Sequence, residues 1–222
     1  RPCLESIVAF TPWPGLRLSL LDDGSDAFTQ ARLAEFVAAT PHLAPRVLRN
    51  ERALGFVQNA NRGLHASDAD FVVLLNSDTI VTPGWLERLV GATLSDPRIA
   101  AAMQMSNQAS LHSQAMPMGW NLFQYAAELG SKMKRTCFDA VTAAGFCLLL
   151  RREALADVGV FDEIFGLGYG EESDWCMRAR SRGWRVVGVE DAFVWHRGKA
   201  TFKDHKAKTF REHNYEVFMQ RW

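Results

Sequence analysis

No apolar run in this sequence approaches the roughly 20 residues that a membrane-spanning helix needs, and no charged-then-apolar leader opens it. This predicts a cytoplasmic protein that touches the inner face of the cell membrane peripherally at most. Cysteine is scarce: Cys3, Cys137, Cys147 and Cys176 stand far apart and form no CxxC pair. That spacing excludes a disulfide framework and a zinc site and suits buried free thiols in a reducing compartment. Neither sign of charge prevails, with 25 Lys+Arg against 25 Asp+Glu. Nothing therefore draws nucleic acid or an anionic membrane. Also lacking are an internal repeat, a low-complexity linker and a Ser-His-Asp or Cys-His arrangement of the covalent-nucleophile kind. What remains is a chain of 222 residues, enough for one α/β domain with a real core across 1–222.

Helix-like and strand-like patterns alternate along it. Leu4 to Phe10 reads as a helix ended before Pro12 and Pro14, and Leu18 to Leu21 as a short strand. Leu33, Phe36 and Val37 sit at helical spacing, Arg46 to Leu48 form a brief strand, and Phe56, Ala60 and Leu64 mark a helix. Phe71 to Leu75 is an apolar, buried strand, and Pro83 opens a helix carrying Trp85, Leu86, Leu89 and Val90. Strands follow at Ile99 to Met103, Gly145 to Leu150, Val186 to Val189 and Ala192 to Trp195. Residues 104–136 show no clear period. Glu172 to Arg182 reads as a helix, acidic early and basic late, with Gly183 as its stop. A last helix, about 206–222, carries Phe210, Val217 and Phe218 on one face.

Three clusters fall where strands end, the place where open α/β sheets bind ligands. In Asp22-Asp23-Gly24-Ser25 a carboxylate past a strand suits a ribose or base N–H, and the glycine permits a tight turn. A plain turn with an N-cap suits the same residues. Asn76-Ser77-Asp78 places a carboxylate at the end of an apolar strand, which is costly unless something positive binds it. Mg²⁺ or Mn²⁺ bridging to pyrophosphate would answer that cost, as would capping of local amides. Gly166 to Trp175 delivers Glu171, Glu172 and Asp174 to a helix start; one acts as a general base, or all three favour the helix dipole. His196, at a strand end, could complete a metal shell.

The landmarks occur in a telling order: Cys3-Leu4-Glu5-Ser6, Asp22-Asp23-Gly24-Ser25, Asn50 to Phe56 with Asn59 and Asn61, then Leu75 to Thr79 and Pro83 to Leu86. Gly145-Phe146-Cys147, Arg151-Arg152-Glu153, Gly159, Phe161-Asp162-Glu163, Gly170 to Asp174 and His196 complete it. In this the chain resembles bacterial family 2 inverting glycosyltransferases over nearly its whole length. The resemblance implies a GT-A (nucleotide-diphospho-sugar transferase) fold, with a mixed, mostly parallel central sheet flanked by helices. It implies metal-dependent transfer from a UDP-, dTDP- or GDP-linked donor to a saccharide or lipid-linked saccharide acceptor, in cell-surface polysaccharide or glycan synthesis.

Carried over residue by residue, Asp22, Asp23, Gly24, Asn50, Asn61, Asn76 and Asp78 are similar to the nucleotide-sugar-binding positions. Asp78 and His196 correspond to the ligands of the divalent metal, Mg²⁺ or Mn²⁺. Glu172 matches the catalytic base, and Asp174 a further carboxylate that orients the acceptor or caps the helix. Trp175 reads better as packing. Asn76 stands where the family has the first Asp of its DXD element, so one charge is lost there. The family's first inner strand is expected upstream of Arg1, and its acceptor-facing loop falls in 104–140. Two rivals stay open: a non-catalytic nucleotide- or sugar-binding module of a larger polysaccharide-assembly protein, and a sugar nucleotidyltransferase.

Overall fold

The computed structural model describes residues 2–11, 14–109, 112–198 and 205–222, and of 205–208 the backbone alone. In chain order the elements are α1 (Pro2–Phe10), β1 (Ser19–Asp22), α2 (Ala27–Ala39), β2 (Arg46–Arg49), α3 (Phe56–His65), β3 (Phe71–Leu75), β4 (Thr79–Val81) and α4 (Trp85–Ser95). There follow β5 (Ile99–Met105), α5 (Leu122–Lys132), β6 (Cys137–Asp139), β7 (Cys147–Arg151), α6 (Arg152–Val158), α7 (Glu171–Ser181), β8 (Arg185–His196) and α8 (His205–Arg221). The helices and strands read from the sequence are present. Pro12, read as the stop of the first helix, lies outside the described residues.

β7 shows why the sheet is the centre of the core. It is buried along its whole length between β3 and β5. Side chains alternate across a strand, and Leu148 and Leu150 enter one apolar cluster with Val57, Leu64, Phe165 and Trp175. Cys147 and Leu149 enter the other, with Ile7, Trp85, Leu89, Ile99 and Val187. Helices α3, α6 and α7 thus cover one face, and α1 and α4 the other, which is the layered α/β arrangement. Cys3, Cys147 and Cys176 are buried free thiols as expected, whereas Cys137 is exposed.

The sheet is mixed, but less parallel than the sequence led us to expect. β1–β2 and β5–β8 pair parallel, while β3–β7, β5–β7, β4–β8 and β6–β8 pair antiparallel. Chain direction explains this. β7 runs against both of its neighbours, and β8, flanked by β5 on one side, has β6 and then β4 running against it on the other. The two strands read at 186–189 and 192–195 are one strand, β8, whose register against β5 jumps from Val189 to Phe193. A β-bulge of this kind absorbs the polar Glu190-Asp191 step. Four elements lay unread in the sequence: β4, β6, α5 and α6. Among the described residues β1 and β2 form a separate two-stranded sheet. α3 packs closely on it: a side chain at Gly63 would come within 2.7 Å of Leu21.

β3, β5 and β8 run in the same direction and β7 runs against them. The C-terminal ends of β3, β5 and β8 and the N-terminal end of β7 therefore meet along one rim.

Candidate active site

That rim gathers the sequence-predicted metal pair. Asp78 lies in the turn between β3 and β4, and this turn is well held. The Asn76 amide donates to the Phe146 carbonyl at 2.7 Å and the Thr79 hydroxyl to the Asn76 carbonyl at 2.7 Å. His196 ends β8 and pairs with Thr79. Its Nε2 lies 3.4 Å from Asp78 Oδ2, both side chains being partly exposed. Its ring stacks on Phe146, centroids 4.3 Å apart and planes 5° from parallel. The Asn107 side chain brackets the His196 backbone, accepting from its N–H at 2.7 Å and donating to its carbonyl at 3.0 Å.

His196 Nδ1 lies 3.0 Å from the Gln108 carbonyl oxygen. A carbonyl can only accept, so Nδ1 carries a proton there, and Nε2 is the ring nitrogen that faces Asp78. Fixing one imidazole nitrogen on a backbone carbonyl is how proteins orient a metal-binding histidine. One carboxylate and one imidazole at this separation fit a divalent cation whose remaining ligands are oxygens. Among the described residues no group of three or more His, Cys, Asp and Glu side chains could hold a metal. Among the described residues Asp78 and His196 thus offer two ligands here, and a diphosphate and water would have to supply the rest.

Glu172 is reached from the same place. A side chain at Gly145 would sit 3.4 Å from the Glu172 carboxyl carbon, so the glycine lets Glu172 lie against the strand entry one residue before Phe146. Asp78 meets His196, His196 stacks on Phe146, and Gly145, beside Phe146, meets Glu172. Glu172 is half-buried in the first turn of α7, and its carboxylate folds back on the Gly170 amide at 3.4 Å.

Glu171 is 4% exposed, and its Oε2 has no hydrogen-bond partner. Burial first, and the neighbouring Glu172 second, push its carboxyl well above the usual value. Kept neutral, Glu171 places no like charge beside Glu172. The folded state then holds a proton that the unfolded state releases, so stability falls as pH rises from the ordinary carboxylate value through the raised one. Glu171→Gln should match wild type in thermal midpoint near pH 4 and exceed it increasingly toward pH 8. A midpoint difference that does not grow with pH would overturn this.

The other predicted carboxylates and amides bond within the protein. Asp174 is fully buried. It accepts from Arg178 Nε at 2.8 Å, Arg221 Nη1 at 2.9 Å and Trp222 Nε1 at 3.0 Å. Both of its oxygens are thus taken up by Arg178 of α7 and by Arg221 and Trp222 at the end of α8. Asn61 is buried and exchanges two hydrogen bonds with the Phe161 backbone, at 2.8 and 3.0 Å, tying α3 to the segment before α7. Trp175 is buried packing, as the sequence suggested, with its indole N–H on the Gly159 carbonyl at 2.7 Å.

Asp22, Asp23, Gly24 and Asn50 form a second wall at the ends of β1 and β2. Asp22 accepts from the Ser25 amide at 3.0 Å and from Arg49. Burial alone would raise its carboxyl, but the Ser25 bonds and Arg49 outweigh it and hold it below the usual value. Asp23 takes Asn50 Nδ2 and the Leu54 amide at 2.8 Å each, and the Gly55 amide at 3.0 Å. Asn50 also meets Asn59 at 3.0 Å and accepts from Arg62. Gly24 has φ +74°, and a side chain there would strike the backbone of Arg52 and Ala53 at 2.7 Å. Only glycine brings the two loops this close.

Asn107, Asn214, Arg221 and Trp222 shape the site without having been singled out. Of these, only Asn107 carried a local signal, lying in the polar stretch directly after β5.

A family model described as "Glycosyltransferase like family 2" matches residues 1–215. The chain is 31% identical over 196 residues to the pre-mycofactocin glycosyltransferase of Mycobacterium tuberculosis strain H37Rv, covering 86% of this chain and 39% of that protein. It is 26% identical over 192 residues to putative cellulose synthase 2 of Komagataeibacter xylinus, covering 81% of this chain and 12% of that one. It therefore spans well under half the length of either relative. Among solved structures it is similar to GalNAc-T7 with UDP, GalNAc and Mn²⁺, with TM-score 0.73, 20% identity, and 97% of this chain and 44% of that one covered. It is also similar to the mannosyltransferase PcManGT from Pyrobaculum calidifontis in complex with GDP-Man and Mn²⁺, with TM-score 0.70, 17% identity, and 98% and 58% covered. Identities this low speak to the fold alone, and the fold agrees with the one the sequence resemblance implied.

Proposed function

This chain belongs to glycosyltransferase family 2, and we propose that it moves a sugar from a nucleotide-diphospho-sugar to an acceptor hydroxyl with inversion at the anomeric carbon. The observation that carries this reading is the rim itself: Asp78 and His196 Nε2 stand 3.4 Å apart with His196 Nδ1 on the Gln108 carbonyl, and Glu172 lies against Gly145, next to Phe146.

Asp78 and His196 would hold a divalent cation, Mg²⁺ or Mn²⁺, with the donor's diphosphate supplying further oxygens. A bound divalent cation there supplies charge stabilisation for a departing diphosphate. Asn76 hydrogen-bonds the donor without adding charge. Asp22, Asp23, Gly24 and Asn50 shape the wall for base and ribose. Their carboxylates and amides lock the two loops to each other, so recognition falls to the backbone and the remaining lone pairs of the Asp22–Ser25 turn.

Glu172 accepts the proton of the acceptor hydroxyl as that oxygen forms its bond to the anomeric carbon. The bond to the diphosphate breaks in the same step, and the diphosphate leaves with the electron pair. Both substrates in one cleft supply the entropic part of the rate. The acceptor is a growing glycan or a lipid-linked saccharide, a reading that the cellulose synthase relatives support. No helix among the described residues is long and apolar enough to cross a membrane.

The test is a thermal-shift panel of UDP, dTDP and GDP, each with and without Mn²⁺. A ligand at about 100 times its Kd stabilises by roughly 2.7 kcal/mol, or roughly 5–10 °C for a chain of this size. One nucleotide should give a shift of that order with Mn²⁺ and much less without it. A panel in which no nucleotide moves the midpoint would defeat the reading. Release of pyrophosphate from a nucleoside triphosphate and a sugar phosphate would point instead to a nucleotidyltransferase.

A further inference from the structure

The segment that delivers Glu172 is not self-supporting. Gly166, Gly168, Tyr169 and Gly170 all have positive φ, at +46°, +116°, +68° and +110°. Tyr169 is there without the freedom of glycine, and such a conformation persists only where the surroundings over-determine it.

Those surroundings are one face of α8. Phe210, Asn214, Val217, Phe218 and Arg221 fall at three- and four-residue steps, the spacing that aligns side chains along a helix. Phe210 stands 3.1 Å from where a side chain on Gly166 would begin. Val217 and Phe218 pack on the cluster that contains Phe165 and Trp175. The Arg211 guanidinium lies 4.9 Å from the Tyr169 ring centre. Arg221 and Trp222 bind the buried carboxylate of Asp174, two residues beyond Glu172.

Asn214 sits at the middle of this face with no solvent exposure. Its side-chain amide donates to the Phe165 carbonyl at 2.9 Å and to the Gly168 carbonyl at 2.7 Å, bridging the start and the middle of the loop. Its Oδ1 is buried without a partner. A polar side chain held in that way is costly unless its donors matter where they are.

We infer that α8 is a clamp that sets the path of the Gly166–Gly170 loop, and that Asn214 is the positioning residue through which it aims Glu172 at the acceptor. This rests on the transferase reading above. A misplacement of about 1 Å at a reacting group costs up to roughly a hundredfold in rate, so a clamp of this kind acts on turnover while the donor continues to bind at the Asp78 and His196 end of the rim.

The test pairs hydrogen exchange with kinetics on the whole chain. Asn214→Leu keeps the approximate shape and removes both donors. Its Gly166–Glu172 amides should exchange at least about tenfold faster, with those of β5 and β7 unchanged. Its kcat should fall by about 10–100-fold, with the donor KM and the Mn²⁺-dependent nucleotide shift within about twofold of wild type. Asn214→Ser, which retains one donor on a smaller side chain, should fall between the two, and it carries the comparison if the Leu variant does not fold. A loop that loosens with kcat unchanged overturns the inference, as does a loop that does not loosen. A wild-type chain that consumes no nucleotide-sugar sinks the transferase reading, and the clamp is then judged on exchange alone.

Discussion

Glu172→Gln should bind Mn²⁺ and nucleotide as wild type does and transfer sugar about 10²–10⁴ times more slowly, the range a positioned general base contributes. Gln keeps the shape and the hydrogen bond from the Gly170 amide, which an amide oxygen can also accept. What it cannot do is take the proton of an attacking hydroxyl. The loss should therefore appear in kcat and in kcat/KM together, the sign of an interaction made in the transition state. The measurement is initial rate against acceptor concentration, with the nucleotide-induced thermal shift taken on the same sample. Normal transfer by the variant would remove Glu172 from the mechanism. Loss of nucleotide binding along with transfer would place it on the donor instead.

Asp78→Ala should act earlier in the cycle. The Mn²⁺-dependent part of the nucleotide shift should disappear, and transfer should fall below about one part in a thousand, because the charge stabilisation at issue is worth several kcal/mol. The fold should survive. The Asp78 side chain is partly exposed, and the turn is held by backbone groups: the Asn76 amide on Phe146 and the Arg197 amide on the Asp78 carbonyl. His196→Ala should show the same pattern more weakly, because the carboxylate ligand would remain. Isothermal titration with Mn²⁺ in the presence of nucleotide checks both. Unchanged Mn²⁺ dependence in Asp78→Ala would mean that the metal, if one is used, is held elsewhere.

Much of this was legible in the sequence because the groups proposed to react stand where a strand ends or a helix begins. Asp78 stands three residues past the five apolar residues of β3, His196 closes an apolar run, and Glu172 lies at a helix start after alternating glycines. Each is a local signal. Asp174 carried the same local signal and Asn61 entered with the family resemblance, yet both lie buried, bonded to Arg178, Arg221, Trp222 and the Phe161 backbone. No pattern near Asp174 announces an arginine and a tryptophan that arrive from α8. Side-chain type reports what a residue can do, and only tertiary structure reports what already occupies it. Among the elements, β4 and β6 have three residues each, too short for a period to show. α5 was hidden by the Met-, Gly- and Pro-bearing stretch before it, although Asn121 and Gln124 form a capping box at its start. β8 was divided in two because Glu190-Asp191 looked like a break. Asp191 is in fact buried, accepting from the Arg135 amide at 2.9 Å.

β8 also governs when the chain becomes competent. It is hydrogen-bonded to β5, β6 and β4, and its last residue is His196, far along the sequence from Asp78. Pairing between segments so remote is slow to form, since the loop entropy is lost before the contacts reward it. The imidazole and the carboxylate therefore come within reach of each other only after the sheet has closed. On the function proposed above, a partly folded chain lacks the rim that would hold cation and diphosphate together, so neither ligand would be trapped in it. Added nucleotide and metal should then leave the folding rate of the denatured chain untouched and slow only its unfolding.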